Sequence, residues 1–317
     1  MNKTATTEDN IQIASKRIIG SLEGPKKGPL VILLTGMHGN ETAGVEAVSS
    51  ILELLEQRKE EFRGRLLGIR ANLQALQHGV RYVDEDMNRI WFTSIIEDIR
   101  SKPEHHLRSS ERVEVKRLLR ILDRLQENSS EKVILADVHT FSAEGAMFTI
   151  PGKVNEHREL LSQIYAPMVF GIGESLRGTA LKYYQKRGIL SFALEGGQHT
   201  NQLTQYNITA SLFLLLQALG CIKSEHYPEI AKFREHLQSH TRQLPAQTEL
   251  VYQHMIEDGD EFKMRPGYSN FQKVKEGEWL ASDRRGKIEA RCDGYILMPL
   301  YQEQGNDGFF IIKEHEA

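Results

Sequence analysis

The sequence predicts an α/β protein, a mixed and mostly parallel sheet with helices on both faces, followed by a small C-terminal all-β domain. Three observations carry this expectation. Apolar, β-branched runs alternate with segments of helical period over the first two thirds of the chain, which is the pattern of a parallel sheet covered by helices. Two of these runs end in a small or polar turn that bears a histidine. From residue 247 onward, turn signals such as Asp293-Gly294 and Pro266-Gly267 recur between short apolar runs, as in a β-sandwich or barrel.

Residues 29–35 (PLVILLT), bounded by Gly28 and Gly36, read as a buried strand. In residues 41–55, Val45, Val48, Ile51, Leu54 and Leu55 recur at helical spacing, so a helix starts at or just after Glu41. Residues 65–71 form a second strand. Residues 111–126 form an amphipathic helix with Val113, Val115, Leu118, Leu119, Ile121 and Leu122 as its apolar positions. Residues 132–138 and 188–194 are the third and fourth strands, and 208–219 is another apolar helix. Residues 225–242 are charged and helix-like, a candidate link between two parts. The expected division is a catalytic domain at 1–225 and a β domain at 226–317.

At 317 residues the chain is long enough to bury a sizeable core, and 40% hydrophobic with 26% charged residues is ordinary for a soluble globular protein. A net charge of −3 carries no basic excess that would mark a nucleic-acid partner. Cys221 and Cys292 lie far apart without metal or redox spacing and read as two reduced thiols. Residues 1–10 lack the apolar segment of a secretion signal, and no run reaches the ~18 apolar residues of a membrane span. A cytoplasmic location with no membrane partner is the expectation. Exposed edges of the β region would allow a homo-oligomer.

The most informative residues are His38 and Glu41 in Gly36-Met37-His38-Gly39-Asn40-Glu41, and His139 in Asp137-Val138-His139-Thr140. Both segments lie at the ends of apolar strands, where open α/β sheets build their sites. Two imidazoles and a carboxylate are a ligand set for catalytic zinc, one ion per chain, with a fourth position left for water. His38-x-x-Glu41 by itself also suits a surface turn with a carboxylate at a helix start. The strand-turn-helix setting and His139 together favour metal. Asp137 is the expected acceptor for the second nitrogen of a ligating imidazole. His78, His105, His106, His157, His226, His236, His240, His254 and His315 sit among polar residues and read as solvated, while His199 closely follows Glu195.

Arg81 to Arg89 (RYVDEDMNR) concentrates two guanidinium groups and an amide in one loop, suited to gripping a carboxylate or polarising a carbonyl. A solvated loop of Arg–Asp pairs is the alternative. Glu195 closes the apolar run 189–194 and precedes Gly196-Gly197. Burial there would raise its pKa toward neutrality, as a proton shuttle needs.

In this order the residues resemble the succinylglutamate desuccinylase/aspartoacylase family of zinc amidohydrolases, relatives of the metallocarboxypeptidases. Gly36 to Glu41 is similar to the family's G-x-H-G-N-E. Asn72, then Arg81-Tyr82-x-x-x-Asp86-x-Asn88-Arg89, resembles its arginine segment, Asp137-x-His139 its D-x-H, and Glu195-Gly196-Gly197 its E-x-G. The resemblance spans about residues 28–220 and implies a zinc carboxypeptidase-like fold. It also implies zinc on His38, Glu41 and His139, Glu195 as general base and then acid, and Arg81 polarising the scissile carbonyl. Asn88 and Arg89 would bind a substrate carboxylate, and Tyr301 would reach the site from the C-terminal domain.

Two positions depart from the family pattern. The family's Asn-Pro is Asn72-Leu73, and the arginine ten residues before the catalytic glutamate is Gln185. Arg177, Lys182, Tyr183, Tyr184 and Arg187 are nearby, off the family spacing. Residues 274–281 resemble the barrel-sandwich modules of lipoyl and biotinyl carriers without their modifiable lysine, which suggests a lid or assembly domain. The expected function is zinc-dependent hydrolysis of the amide of a small carboxylate-bearing N-acyl amino acid. The rivals are a metallocarboxypeptidase acting on peptides and a non-catalytic zinc-stabilised binding protein.

Overall fold

The computed structural model describes residues 16–315 apart from 128 and 153, and the backbone but not the side chains of 154–157. The N-terminal reading of residues 1–10 and the side chain of His157 lie outside the described residues. The first eight strands are β1 (Ile18–Glu23), β2 (Lys26–Thr35), β3 (Arg63–Arg70), β4 (Val133–Phe141), β5 (Glu144–Gly145), β6 (Phe148–Ile150), β7 (Met168–Phe170) and β8 (Leu190–Gln198). The C-terminal eight are β9 (Gln247–Met255), β10 (Lys263–Met264), β11 (Ser269–Asn270), β12 (Gln272–Val274), β13 (Trp279–Asp283), β14 (Gly286–Glu289), β15 (Gly294–Leu297) and β16 (Asp307–Glu314).

One sheet of eleven strands dominates, in the order β1-β3-β2-β4-β8-β6-β7-β9-β16-β15-β12. Its centre, β3-β2-β4-β8, is entirely parallel. Alternate residues of β2 explain why helices cover both faces. Val31 and Leu33 join helices Ala43–Glu56 and Gln202–Ala218 in one apolar cluster, whereas Leu30, Ile32 and Leu34 join helices Thr93–Ser101 and Ser110–Glu127 in another. A parallel strand buried on both sides has no polar face, which is why 29–35 reads as a continuous apolar run.

The C-terminal β region is present, and its first strand continues the main sheet. β9 pairs parallel with β7, and β16 then pairs antiparallel with β9. The strands β10-β13-β14 make a separate three-stranded sheet, and β11 pairs with β5. Phe310 and Ile312 of β16 pack with Phe148, Val169 and Phe271, while Phe309 and Ile311 pack with Leu280 and Tyr268 on the other side. The charged stretch read as a link is the helix Glu229–Thr241, and it is no free linker. Ile230, Phe233 and Leu237 are buried in the cluster around helix Gln202–Ala218. Their i, i+3, i+7 spacing is an apolar stripe that the surrounding charges obscured. Cys221 is buried and Cys292 half-buried, and they are unpaired. No helix among the described residues is long and apolar enough to cross a membrane.

Candidate metal centre and acid/base site

The carboxyl ends of β2, β4 and β8 bring the sequence candidates together. β2 ends at Thr35, and the chain turns through Gly36 to Glu41 before helix Ala43–Glu56 begins. Two glycines make this turn possible. Gly36 has φ +60°, and at Gly39 a Cβ would stand 1.9 Å from the backbone of Ala75 in helix Leu73–His78. Only glycine allows so close an approach. The turn delivers His38 and Glu41 inward. β4 delivers His139, and in register beside it β8 delivers Glu195.

His38, Glu41 and His139 are each buried, and one candidate ligand atom from each lies within 4.8 Å of the others. Glu41 sits between the imidazoles, Oε1 2.8 Å from His38 Nδ1 and Oε2 3.1 Å from His139 Nδ1. Oε2 also accepts from the Thr140 N–H at 3.0 Å. The outer nitrogens each face a second carboxylate. His38 Nε2 is 3.1 Å from Asp86 Oδ1, and His139 Nε2 is 3.0 Å from Asp137 Oδ2. Burial pushes the Glu41 carboxyl up, but the two imidazoles outweigh it and hold it well below the usual range. Burial pulls His139 down, yet Asp137 and Glu41 lift it well above an ordinary histidine. Two converging Nδ1 atoms, a shared carboxylate between them and a carboxylate behind each ring form a donor set that fits a divalent cation of zinc type.

The Arg81–Arg89 loop closes one side. Arg81 Nη2 donates to Asp86 Oδ2 at 3.1 Å, and its Nη1 lies 3.7 Å from Glu41 Oε1. Arg81 Nε is buried without a hydrogen-bond partner. Against the cost of burial, the charges of His38 and Arg81 keep the Asp86 carboxyl well below its usual range. Asn88 Nδ2 lies 3.4 Å from His139 Nε2, and its Oδ1 accepts from the Ala180 N–H at 2.9 Å. Arg89 pairs with Asp307 at 2.6 Å. The loop is no solvated strand of ion pairs. Buried Glu111 accepts from the N–H groups of Val83, Asp84 and Glu85 at 2.8, 3.1 and 3.3 Å.

Glu195 is 5% exposed, and its Oε2 has no hydrogen-bond partner. Burial raises its pKa to about 8, assisted by the negative Glu41 and Asp137 and opposed by His139. With His38, Glu41, Arg81, Asn88, Arg89, Asp137, His139 and Thr140 it lines a cavity of about 540 Å³, counting solvent at its mouth. The rest of the lining is mostly apolar: Ile150, Leu176, Leu181, Ala193 and Met298, with Gly173 and Thr179.

Tyr301 is not among the residues lining this cavity. Its hydroxyl donates to the Arg265 carbonyl at 2.7 Å and accepts from the Tyr268 N–H at 2.9 Å, so it braces the small β unit. The C-terminal region meets the site through other residues, which sequence reasoning missed. Met298 enters the cavity wall. Gln302 Oε1 accepts from Asn40 Nδ2 at 3.0 Å and lies 3.2 Å from His199 Nε2, whose Nδ1 is 2.6 Å from Thr140 Oγ1. Gln304 Oε1 accepts from the Arg81 N–H at 3.1 Å. No local pattern marks these glutamines, which lie in a loop of polar residues. Asp86 was legible within the Arg81–Arg89 run, though its contact with His38 was not. Four histidines read as solvated, His226, His236, His254 and His315, are half-buried instead. His254 stacks on Phe309 at 5.1 Å, and His236 lies 2.7 Å from Asn207 Oδ1.

A parallel α/β sheet with a two-histidine, one-glutamate cluster and a buried glutamate at its carboxyl edge defines the class. Comparison with known proteins agrees. The succinylglutamate desuccinylase/aspartoacylase catalytic domain matches residues 27–219, and the chain belongs to that family. The succinylglutamate desuccinylase of Shewanella sp. (strain W3-18-1) is 26% identical over 204 residues, 60% of this chain and 58% of that protein. The chain thus spans about three-fifths of the length of the curated relatives of this kind. Among solved structures, a succinylglutamate desuccinylase/aspartoacylase from Rhodobacter sphaeroides superposes with a TM-score of 0.66 at 18% identity, covering 93% of this chain and 88% of that one. The ectoine utilization protein of Ruegeria pomeroyi superposes with a TM-score of 0.65 at 16% identity, over 92% and 87%. At these identities the structural likeness speaks for the fold.

Proposed function

We propose that the chain is a zinc-dependent amidohydrolase that cleaves the amide of a small, carboxylate-bearing N-acyl amino acid. The observation that carries this reading is the meeting in one cavity of His38, Glu41 and His139 with an unpartnered, buried Glu195 and the buried Nε of Arg81. A structural metal site would not need the last two groups. Family membership supports the same reaction class.

Bound by His38, Glu41 and His139, zinc would supply Lewis acidity and lower the pKa of a bound water to about 7. The chain's own residues do the rest. Asp86 and Asp137 fix the two imidazole rings. Glu195, whose Oε2 is free, takes a proton from the attacking water and returns it to the leaving amine. Burial poises it for both transfers. Arg81 Nε is the donor left over once the other arms of the guanidinium hold Asp86 and Glu41, and it faces charge developing on the carbonyl oxygen. Asn88 and Arg89 hold the substrate carboxylate. Met298 and the glutamines near it narrow the approach, which favours a small substrate over an extended peptide.

The test uses purified protein loaded with zinc and offered N-acetyl, N-succinyl and N-formyl amino acids, with Glu195→Ala as control. Turnover that needs the metal and is lost in the variant is the expected result. Cleavage of longer peptides in preference would replace this reading with a carboxypeptidase. One bound metal per chain with no turnover of any amide would leave a binding protein, and no metal uptake would overturn the reading at its base.

A further inference from the structure

The apolar part of the cavity lining bears on the side chain of the amino acid that is released. Ile150, Leu181 and Ala193 are 4%, 5% and 5% exposed, and Leu176 and Met298 are half-buried beside them. This wall is tied directly to the residues assigned to the substrate carboxylate. Asn88 Oδ1 accepts from the N–H of Ala180, the residue before Leu181. An amino-acid side chain branches from the carbon that bears the carboxylate. With the carboxylate on Asn88 and Arg89, that side chain meets Leu176 and Leu181.

Nothing on this wall could neutralise a second carboxylate. Among the described residues that line the cavity, the arginines are Arg81, assigned above to the scissile carbonyl and also paired with Asp86, and Arg89, assigned above to the first carboxylate and also paired with Asp307. The neighbouring candidates are committed elsewhere. Gln185 Nε2 donates to the Ser191 carbonyl at 3.0 Å, Lys182 Nζ to the Glu174 carbonyl at 3.0 Å, and Arg187 lies 3.5 Å over the Tyr183 ring. Arg177 and Lys186 do not line the cavity; they line the adjoining surface cleft beside Trp91 and Phe92, which shares Thr179 with it. Asp137 and Glu195 add negative charge to the same cavity. A carboxylate entering here would lose its water and meet no free cation, only the hydroxyl of Thr179.

We propose that the released amino acid carries an uncharged, apolar side chain, held by Ile150, Leu176, Leu181 and Met298, and not a side-chain carboxylate. This rests on the amidase reading above, with the carboxylate on Asn88 and Arg89.

Two measurements test it. Affinities of N-acetyl-leucine, N-acetyl-methionine, N-acetyl-aspartate, N-acetyl-glutamate and N-acetyl-lysine are determined by calorimetry on zinc-loaded Glu195→Ala protein. Turnover of the same panel is measured on the unaltered enzyme. The apolar members are expected to lead the acidic ones by roughly 100-fold in affinity and in kcat/KM. Leu176→Arg should narrow that ratio at least tenfold, and Met298→Arg provides the same readout should the first variant fold poorly. Equal or tighter binding of the acidic or the lysine member would overturn the proposal. So would a series with one amino acid and varied acyl groups that changed kcat/KM more than the side chain does, because the wall would then hold the acyl group. An apolar preference in binding without turnover of any member would sink the amidase reading and leave the pocket standing. Preferred turnover of the acidic members would do the reverse.

Discussion

Two buried glutamates, Glu111 and Glu195, mark two regions of this molecule with opposite chemistry. Glu111, near the start of helix Ser110–Glu127, accepts three backbone N–H bonds from residues 83–85 and a longer one, 3.4 Å, from Asn72 Nδ2. One turn on, Glu114 accepts from the Leu73 N–H at 2.8 Å and from Arg17 at 2.6 Å. Every lone pair they expose to the protein has work in holding the chain. Glu195, at the end of β8, has an oxygen without a hydrogen-bond partner among the described residues, and its pKa rises to about 8. A buried charge that is fully hydrogen-bonded stabilises a structure. One left short of partners costs stability and keeps its reactivity. The first region holds the Arg81–Arg89 loop in place, and the second is the group that loop serves.

Substitutions at the two glutamates should therefore separate activity from stability. Glu195→Gln keeps the shape and removes the proton carrier. It should lower kcat by about 10³-fold while the melting temperature stays level or rises. A variant that unfolds earlier without losing rate would reverse the roles assigned here. Glu111→Ala takes away the shared acceptor of three part-buried N–H groups and should destabilise the protein by about 3 kcal/mol in chemical denaturation. Its activity should fall too, through the displaced Arg81, and a variant of wild-type stability would show that the loop is held by other means.

Smaller effects are expected where the C-terminal region meets the site. Gln302→Ala breaks contacts to Asn40 and His199. It should cost about 1 kcal/mol in kcat/KM, roughly fivefold, since each neutral hydrogen bond is worth about that much. Tyr301→Phe removes the hydroxyl that joins Arg265 to Tyr268. A loss of about 1 kcal/mol or less in stability with kcat and KM unchanged is the outcome, and any clear fall in kcat would return Tyr301 to the site.

Much of this was legible because the information was local. Gly36 to Glu41 carries the glycines that the sharp turn demands, and the helix period begins just beyond it. A strand end, a ligand pair and a helix start thus fall within a few residues. Asp137 and His139 alternate on one strand, so their joint service to one site follows from side-chain direction. Other features had no local mark. Tyr301 lies only three residues from Met298, but Met298 lines the cavity and the Tyr301 hydroxyl faces the Arg265 and Tyr268 backbone. Which of them enters depends on how β16 and β15 continue the sheet beyond β9, and no spacing records that. Gln302 meets Asn40 across 262 positions of sequence. Ile230, Phe233 and Leu237 were obscured because a helix packed on one side only can carry charge on its remaining faces.

The sequence alone determined the parallel α/β centre, the positions of its strand ends, and the identity of the two-histidine, one-glutamate cluster with Glu195. Each of these follows from hydrophobic period, turn chemistry and residue type within a short window. The tertiary structure decided that Asp86 stands behind His38, that the C-terminal β region extends the main sheet, and that part of the cavity lining is apolar. Those outcomes depend on contacts between residues remote in the chain, whose burial and charge are set only when the whole core closes.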